Sequence, residues 1–221
     1  MPLQIGDDSS QGWRAVKDLR VGDLEVHTVV IPEGNSWVEL WRRVPFEVAT
    51  SSSQTLIVPT WALYADIILI GGGGGGAGGS GAVSDSGRGG KAGNWQGISR
   101  FVRPGQGMVF TIGAGGAGGA TESGTGGTGG TTSVALEDYS LRATGGAGGV
   151  GTSTSANARG EDALFYEQGT WRVEGGDGGT QGNAGQVPGG GGGGGAGGIF
   201  GRWSPGKPGG RGGAWVRFRS A

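Results

Sequence analysis

The sequence predicts an all-β fold. A short N-terminal β-hairpin region leads into a glycine-rich, β-sandwich-like domain whose glycine tracts are polyglycine-II helices or ordered loops. Three observations point there. Short runs rich in β-branched and aromatic residues recur along the chain, separated by turn-forming stretches. No window supports the period of an amphipathic helix. Glycine, at 58 of 221 residues, returns in a Gly-Gly-X pattern with a period of three.

The first strands are "DLEVHTVVI" (23–31) and "SWVELWRRV" (36–44), joined by the turn residues "PEGN". Alternation places Trp37, Glu39 and Trp41 on one face of the second strand and Val38, Leu40 and Arg42 on the other. The polar stretch "ATSSSQ" (49–54) follows. It divides an attachment region, 1–50, from a domain spanning 55–221, with 51–54 as the linker. A region as short as 1–50 buries little core alone, so it is expected to dock on a partner or self-associate. "TLIVP" (55–59) and "ADIILI" (65–70) read as strands. So do "GISRFV" (97–102), "MVFTI" (108–112), "TSVAL" (132–136), "YSLRA" (139–143), "TWRVE" (170–174) and "AWVRFRS" (214–220). In the last, Trp215, Arg217 and Arg219 alternate with Val216 and Phe218, the mark of a half-buried strand.

Composition changes abruptly at Gly71. Only Gly6, Gly12, Gly22 and Gly34 precede it, so 58 − 4 = 54 glycines lie in 71–221. The non-glycine residues of the tracts are Ala114, Ala117 and Ala120; Thr125, Thr128 and Thr131; Thr144, Ala147 and Val150; and Glu174, Asp177 and Thr180. A polyproline-II-type helix has 3 residues per turn and no internal hydrogen bonds. In a Gly-Gly-X helix two edges are bare, so backbones can approach closely and bond to each other. Collagen is excluded, since it carries one glycine per triplet with abundant proline.

Several function classes are set aside. The net charge is −1, without the basic surplus of a nucleic-acid binder. The chain has no cysteine, which excludes disulfides, thiolate metal sites and cysteine nucleophiles. Its one histidine is His27, in an expected strand. No apolar run nears the roughly 20 residues of a membrane span, and "MPLQIGDDSSQGW" lacks the features of a secretory signal. The strand-then-glycine order of "ADIILIGGGGGG" suggests a phosphate loop, but no helix follows and Lys91 is followed by Ala92 where serine or threonine is needed. Glu137–Asp138 and Glu161–Asp162 are adjacent carboxylates in polar loops, without the cleft geometry of a glycosidase. No catalytic residue, cofactor or metal site is therefore expected.

The aromatic residues Trp95, Phe165, Tyr166, Trp171, Phe200 and Trp203 lie beside the glycine tracts. Their rings either plug the core or offer flat faces to a ligand such as a sugar. Trp95, Phe165, Tyr166, Trp171 and Trp203 are the candidate glycan or host-contact residues.

One resemblance adds to this reading. "VPTWALYADIILIGGGGGG" (58–76), "GGKAGNW" (89–95), "PGGGGGGGAGGIFG" (188–201) and "GGRGGAWVRFR" (209–219) occur in the order found in actinobacteriophage minor tail proteins with a C-terminal glycine-rich domain. The match covers about 55–221. The resemblance implies a virion structural protein in or near the tail tip, contributing to host adhesion, with other tail or baseplate proteins as partners. It also implies a homo-oligomer, a trimer by preference. No catalytic residue comes with the family, and composition leaves no nucleic-acid partner and no membrane insertion to expect. The other readings are a capping or cementing virion protein that touches no host molecule, and a glycine-rich cell-wall or ice-binding protein. The mixed X residues count against ice binding.

Overall fold

The structure is a computed structural model. It describes residues 45–81 and 85–220 throughout and, within 1–44, the backbone of short strand segments. Among those, Thr28–Glu33 pairs with Ser36–Arg42 as the expected antiparallel hairpin. Leu24–Val26 pairs instead with Leu19–Val21, so the two described parts of the first expected strand have different partners. His27 and the side chains of Trp37, Glu39 and Trp41 lie outside the described residues.

Two four-stranded antiparallel sheets form a sandwich. Sheet I has the order β4–β3–β10–β1, where β1 is Phe46–Thr50, β3 Tyr64–Ile70, β4 Trp95–Phe101 and β10 Gly213–Arg219. Sheet II has the order β7–β6–β5–β2, with β2 Gln54–Ile57, β5 Gly107–Thr111, β6 Thr132–Leu136 and β7 Tyr139–Ala143. Alternate residues face the core between them: Ala65, Ile67 and Leu69 of β3 and Val216 and Phe218 of β10 pack with Met108, Phe110 and Val134 of sheet II. A further hairpin, β8 (Phe165–Gln168) and β9 (Trp171–Glu174), covers the outer face of sheet I, where Ile68 packs against Trp171 and Val173. β3 is therefore buried on both faces, which explains why "ADIILI" is apolar at every position but Asp66 and does not alternate.

The domain begins earlier than expected. β1 pairs with β10 from Phe46↔Phe218 to Thr50↔Ala214, and the Phe46 and Phe218 rings stack with centroids 6.3 Å apart. The 51–54 stretch thus connects the two sheets of one sandwich and is not a linker between domains.

β3 passes straight into the 71–79 glycine segment, and here the period of three becomes architecture. Gly71, Gly74 and Ala77 donate to Asn94, Lys91 and Arg88; Gly72, Gly75 and Gly78 to Gly130, Gly127 and Gly124; Gly73, Gly76 and Gly79 to Gly210, Lys207 and Ser204. The acceptor numbers fall by three at each step, so these three neighbours run antiparallel. The carbonyls of the same segment accept from Gly146 and Gly149, from Gly116 and Gly119, and from Gly192 and Gly195. Here both numbers rise, so these three run parallel. Six segments surround one, and every amide of 71–79 has a partner. The tracts are polyglycine-II helices, not loops.

A second centre stands beside the first. The 189–195 segment bonds to 71–79, 85–94, 158–163, 175–182, 183–188 and 202–212. The two centres are the two longest glycine runs, since a helix enclosed on six sides has no outward edge for a side chain. A Cβ on Gly74 would collide with the Ala147 carbonyl oxygen, and one on Gly75 with that of Ala117. The outer helices place their X residues outward: Ala114, Ala117, Ala120, Thr125, Thr128, Thr144, Ala147 and Val150 are all exposed.

The domain has two poles. Phe46 and Arg219 lie at the sandwich end remote from Gly213, where the chain joins the glycine bundle. At the other pole Ser123 and Gly198 donate to Gly79 and Ser80, placing the turns near 121–124 and 199–203 together at the bundle tip. From Gly71 to Ser80 the bundle extends about 28 Å at about 3.1 Å per residue.

Candidate functional site

The outer face of sheet I gathers most of the candidate aromatics. β3, β4 and β10 are adjacent, and the side chains pointing away from the core are Asp66 and Ile68, Trp95 and Ser99, and Trp215, Arg217 and Arg219. The β8–β9 hairpin lies on this face. The Trp95 ring stacks on Tyr166 at 5.7 Å and meets Trp215 at 5.4 Å, and its indole N–H donates to the Ala163 carbonyl at 2.8 Å. Gly97 keeps the hairpin close, because a Cβ there would stand 2.7 Å from the Tyr166 ring.

Beside the rings runs a polar chain. The Gln168 amide donates to the Ser99 hydroxyl at 2.9 Å, and that hydroxyl donates to Asp66 at 2.5 Å. Arg217 and Arg219 ion-pair with the same carboxylate at 2.9 and 3.1 Å. Asp66 is 2% exposed. Its burial works to raise the carboxyl pKa, but the Ser99 hydroxyl and the two guanidiniums outweigh that and hold it below the usual carboxylate value. Arg217 also covers the Trp171 ring at 4.9 Å. Nearby, the Gly178 amide and the Arg159 guanidinium hold the Asp162 carboxyl low.

Trp95, Tyr166 and Trp171 are thus brought together, and their rings fill a satellite core; Trp171 is only 7% exposed. Phe165 stands at the hairpin edge, 45% exposed, with the Arg172 guanidinium 3.6 Å above its ring. Trp203 is far from the others, half-buried beside the tip turn. The tip also carries Phe200, which is 95% exposed at a φ of 57°. Sequence reasoning left Phe200 off the contact set and missed the acidic hub. The alternation of "AWVRFRS" already put Trp215, Arg217 and Arg219 on one face; the missing information was that Asp66 lies opposite them.

Among the described residues, no group of three or more His, Asp or Glu side chains could hold a metal ion, and no helix is long and apolar enough to cross a membrane.

Sandwich, satellite aromatic core and hexagonally packed tracts define a rigid glycine-rich β scaffold. Comparison with protein families agrees: residues 49–163 match the family described as a glycine-rich domain, and the chain belongs to that family. Comparison with curated proteins gives no match.

Proposed function

We propose that the chain is a non-enzymatic structural component of a bacteriophage tail, located in the virion at or near the tail tip, and that its glycine-rich domain contributes to contact with the host cell envelope. The observation that carries the reading is the polarity of the domain. The first and last strands of the domain bring Phe46 and Arg219 to one pole, while the tip turns with exposed Phe200 and half-buried Trp203 stand at the other. Residues before 46 would hold other tail proteins or sister subunits, in a homo-oligomer for which the sequence resemblance favours a trimer. A scaffold with bonded amides and almost no mobile side chains lowers the ordering cost of contact. Weak binding by each copy is raised by avidity.

A specific surface favours the second reading, a capping or cementing protein. The Ala114/Ala117/Ala120, Thr125/Thr128/Thr131 and Thr144/Ala147/Val150 rows belong to neighbouring helices and form an uncharged face suited to assembly contacts. Phage particles lacking residues 46–221 separate the readings. Intact particles that fail to adsorb support host contact, and particles that fail to assemble support cementing. Intact particles that adsorb normally contradict both.

A further inference from the structure

The packing creates a groove that the aromatic clusters do not use. Segments 85–94 and 202–212 each contact both central helices, so they sit in the two waists of the array. The 202–212 waist is flanked by 113–121 and 183–188. Along its floor the outward residues are Arg202, Pro205, Pro208 and Arg211, all exposed. Backbone bonding explains the prolines. Gly206, Gly209 and Gly212 donate to 113–119 and Ser204, Lys207 and Gly210 to 190–196, while the positions of Pro205 and Pro208 face neither neighbour. Proline loses nothing there, and its fixed φ suits the helix.

The groove carries three cations, and the one carboxylate placed near its Arg202 end is Glu122, which accepts from the Gly81 amide beside Gly201. Among the described residues Arg202, Lys207 and Arg211 make no ion pair, whereas Lys91, Arg159, Arg172, Arg217 and Arg219 do. Where the floor meets the Ser51–Ser53 turn it deepens into a cavity of about 570 Å³ with no carboxylate in its lining. A second hollow, of about 220 Å³, continues it past Val187 to Trp215. Trp203 lies at the opposite end. Arg202 and Arg211 are nine residues apart in sequence, about 28 Å along the floor at about 3.1 Å per residue.

We propose that this waist groove binds an extended anionic glycan lengthwise, its carboxylates or phosphodiesters meeting Arg202, Lys207 and Arg211. Sugar rings would lie over Pro205 and Pro208 and against the hydroxyls of Ser51 and Ser52. Three cations without ion-pair partners along one surface attract a negative ligand. A single-stranded nucleic acid fits less well, because the floor offers no succession of aromatic faces on which bases could stack. The proposal refines the host-contact reading and rests on it for biological meaning. Its test uses the isolated protein, so failure here leaves the tail assignment standing.

The test is titration calorimetry with polygalacturonate, poly(glycerol phosphate), neutral dextran and oligo(dT). Binding to one or both anionic glycans, weakening with salt and absent for dextran, is expected; the polymer that binds distinguishes carboxylate from phosphodiester recognition. The triple variant R202E/K207E/R211E should lose about tenfold or more in affinity while melting like the wild type. R142E, at an exposed position on sheet II remote from the groove, should bind as the wild type does. The proposal is overturned by equal binding of dextran, by a triple variant that binds unchanged, or by oligo(dT) binding more tightly than both glycans.

Discussion

The carbonyl oxygen of Gly127 occupies the space that a Cβ on Gly116 would need, whereas a Cβ on Gly127 meets nothing nearer than the Ala117 nitrogen at 3.0 Å. Two glycines in adjacent Gly-Gly-X tracts thus differ in what they tolerate. The backbone oxygen cannot swing aside as a side chain can, so Gly116→Ala forces the helices apart. Overpacking of this kind costs about 3 kcal/mol, against about 1 kcal/mol or less for Gly127→Ala. Thermal melts of the two variants should be clearly separated, and equal melting temperatures would refute the assigned packing.

Asp66 holds the outer face of sheet I together electrostatically. Replacing it with asparagine leaves Arg217 and Arg219 facing each other without a counter-charge. Both are partly exposed, so the cost should be below that of breaking a fully buried pair, at about 2–3 kcal/mol. The sign with pH follows from the lowered carboxyl pKa. A depressed pKa contributes stability that is complete above the ordinary value of about 3.9 and is lost as pH falls through the folded value. Wild-type stability should therefore drop below about pH 4, and Asp66→Asn should show a shallower acid limb. Parallel acid limbs in denaturant titrations would remove Asp66 from this role.

Trp171 joins the hairpin to the sheet. Truncation to alanine empties a ring-sized space beside Ile68 and should cost about 3–5 kcal/mol. It should also reduce the near-ultraviolet circular dichroism of the Trp95–Tyr166–Trp215 stack. Phe165→Ala, at the exposed hairpin edge, should change stability by less than about 1 kcal/mol.

The position of β1 gives a truncation test. A chain starting at residue 55 lacks one of the two strand partners of β10 and uncovers the edge beside Val216 and Phe218, both now 1% exposed. It should melt well below a chain starting at residue 46. Identical melting would mean that the sheet does not need its edge strand.

Much of the fold was legible in the sequence. The strands around Gly107–Thr111, Thr132–Leu136 and Tyr139–Ala143 follow from apolar alternation, and the three-fold helices from the spacing of Ala114, Ala117 and Ala120. Helix neighbours were less legible, because glycine carries no side chain to encode a partner. One signal did exist: the uninterrupted runs at 71–76 and 189–195 have no residue that could face solvent, which marks them as the two centres. The Asp66 hub was hidden by distance, since its arginines lie 151 and 153 residues away. The β1 assignment failed because serines at 51–53 resemble a linker, while Phe46 and Val48 are too few to announce a strand.

Amide hydrogen exchange tests the enclosed polyglycine bundle most directly. Every amide of 71–79 has a backbone acceptor, whereas Gly115 and Gly118, in a tract of similar composition, have none among the described residues. The amides of Gly72–Gly76 should exchange as slowly as those of the core strand Tyr64–Ile70, and those of Gly115 and Gly118 far faster. Fast, uniform exchange across all the glycine tracts would contradict the bundle.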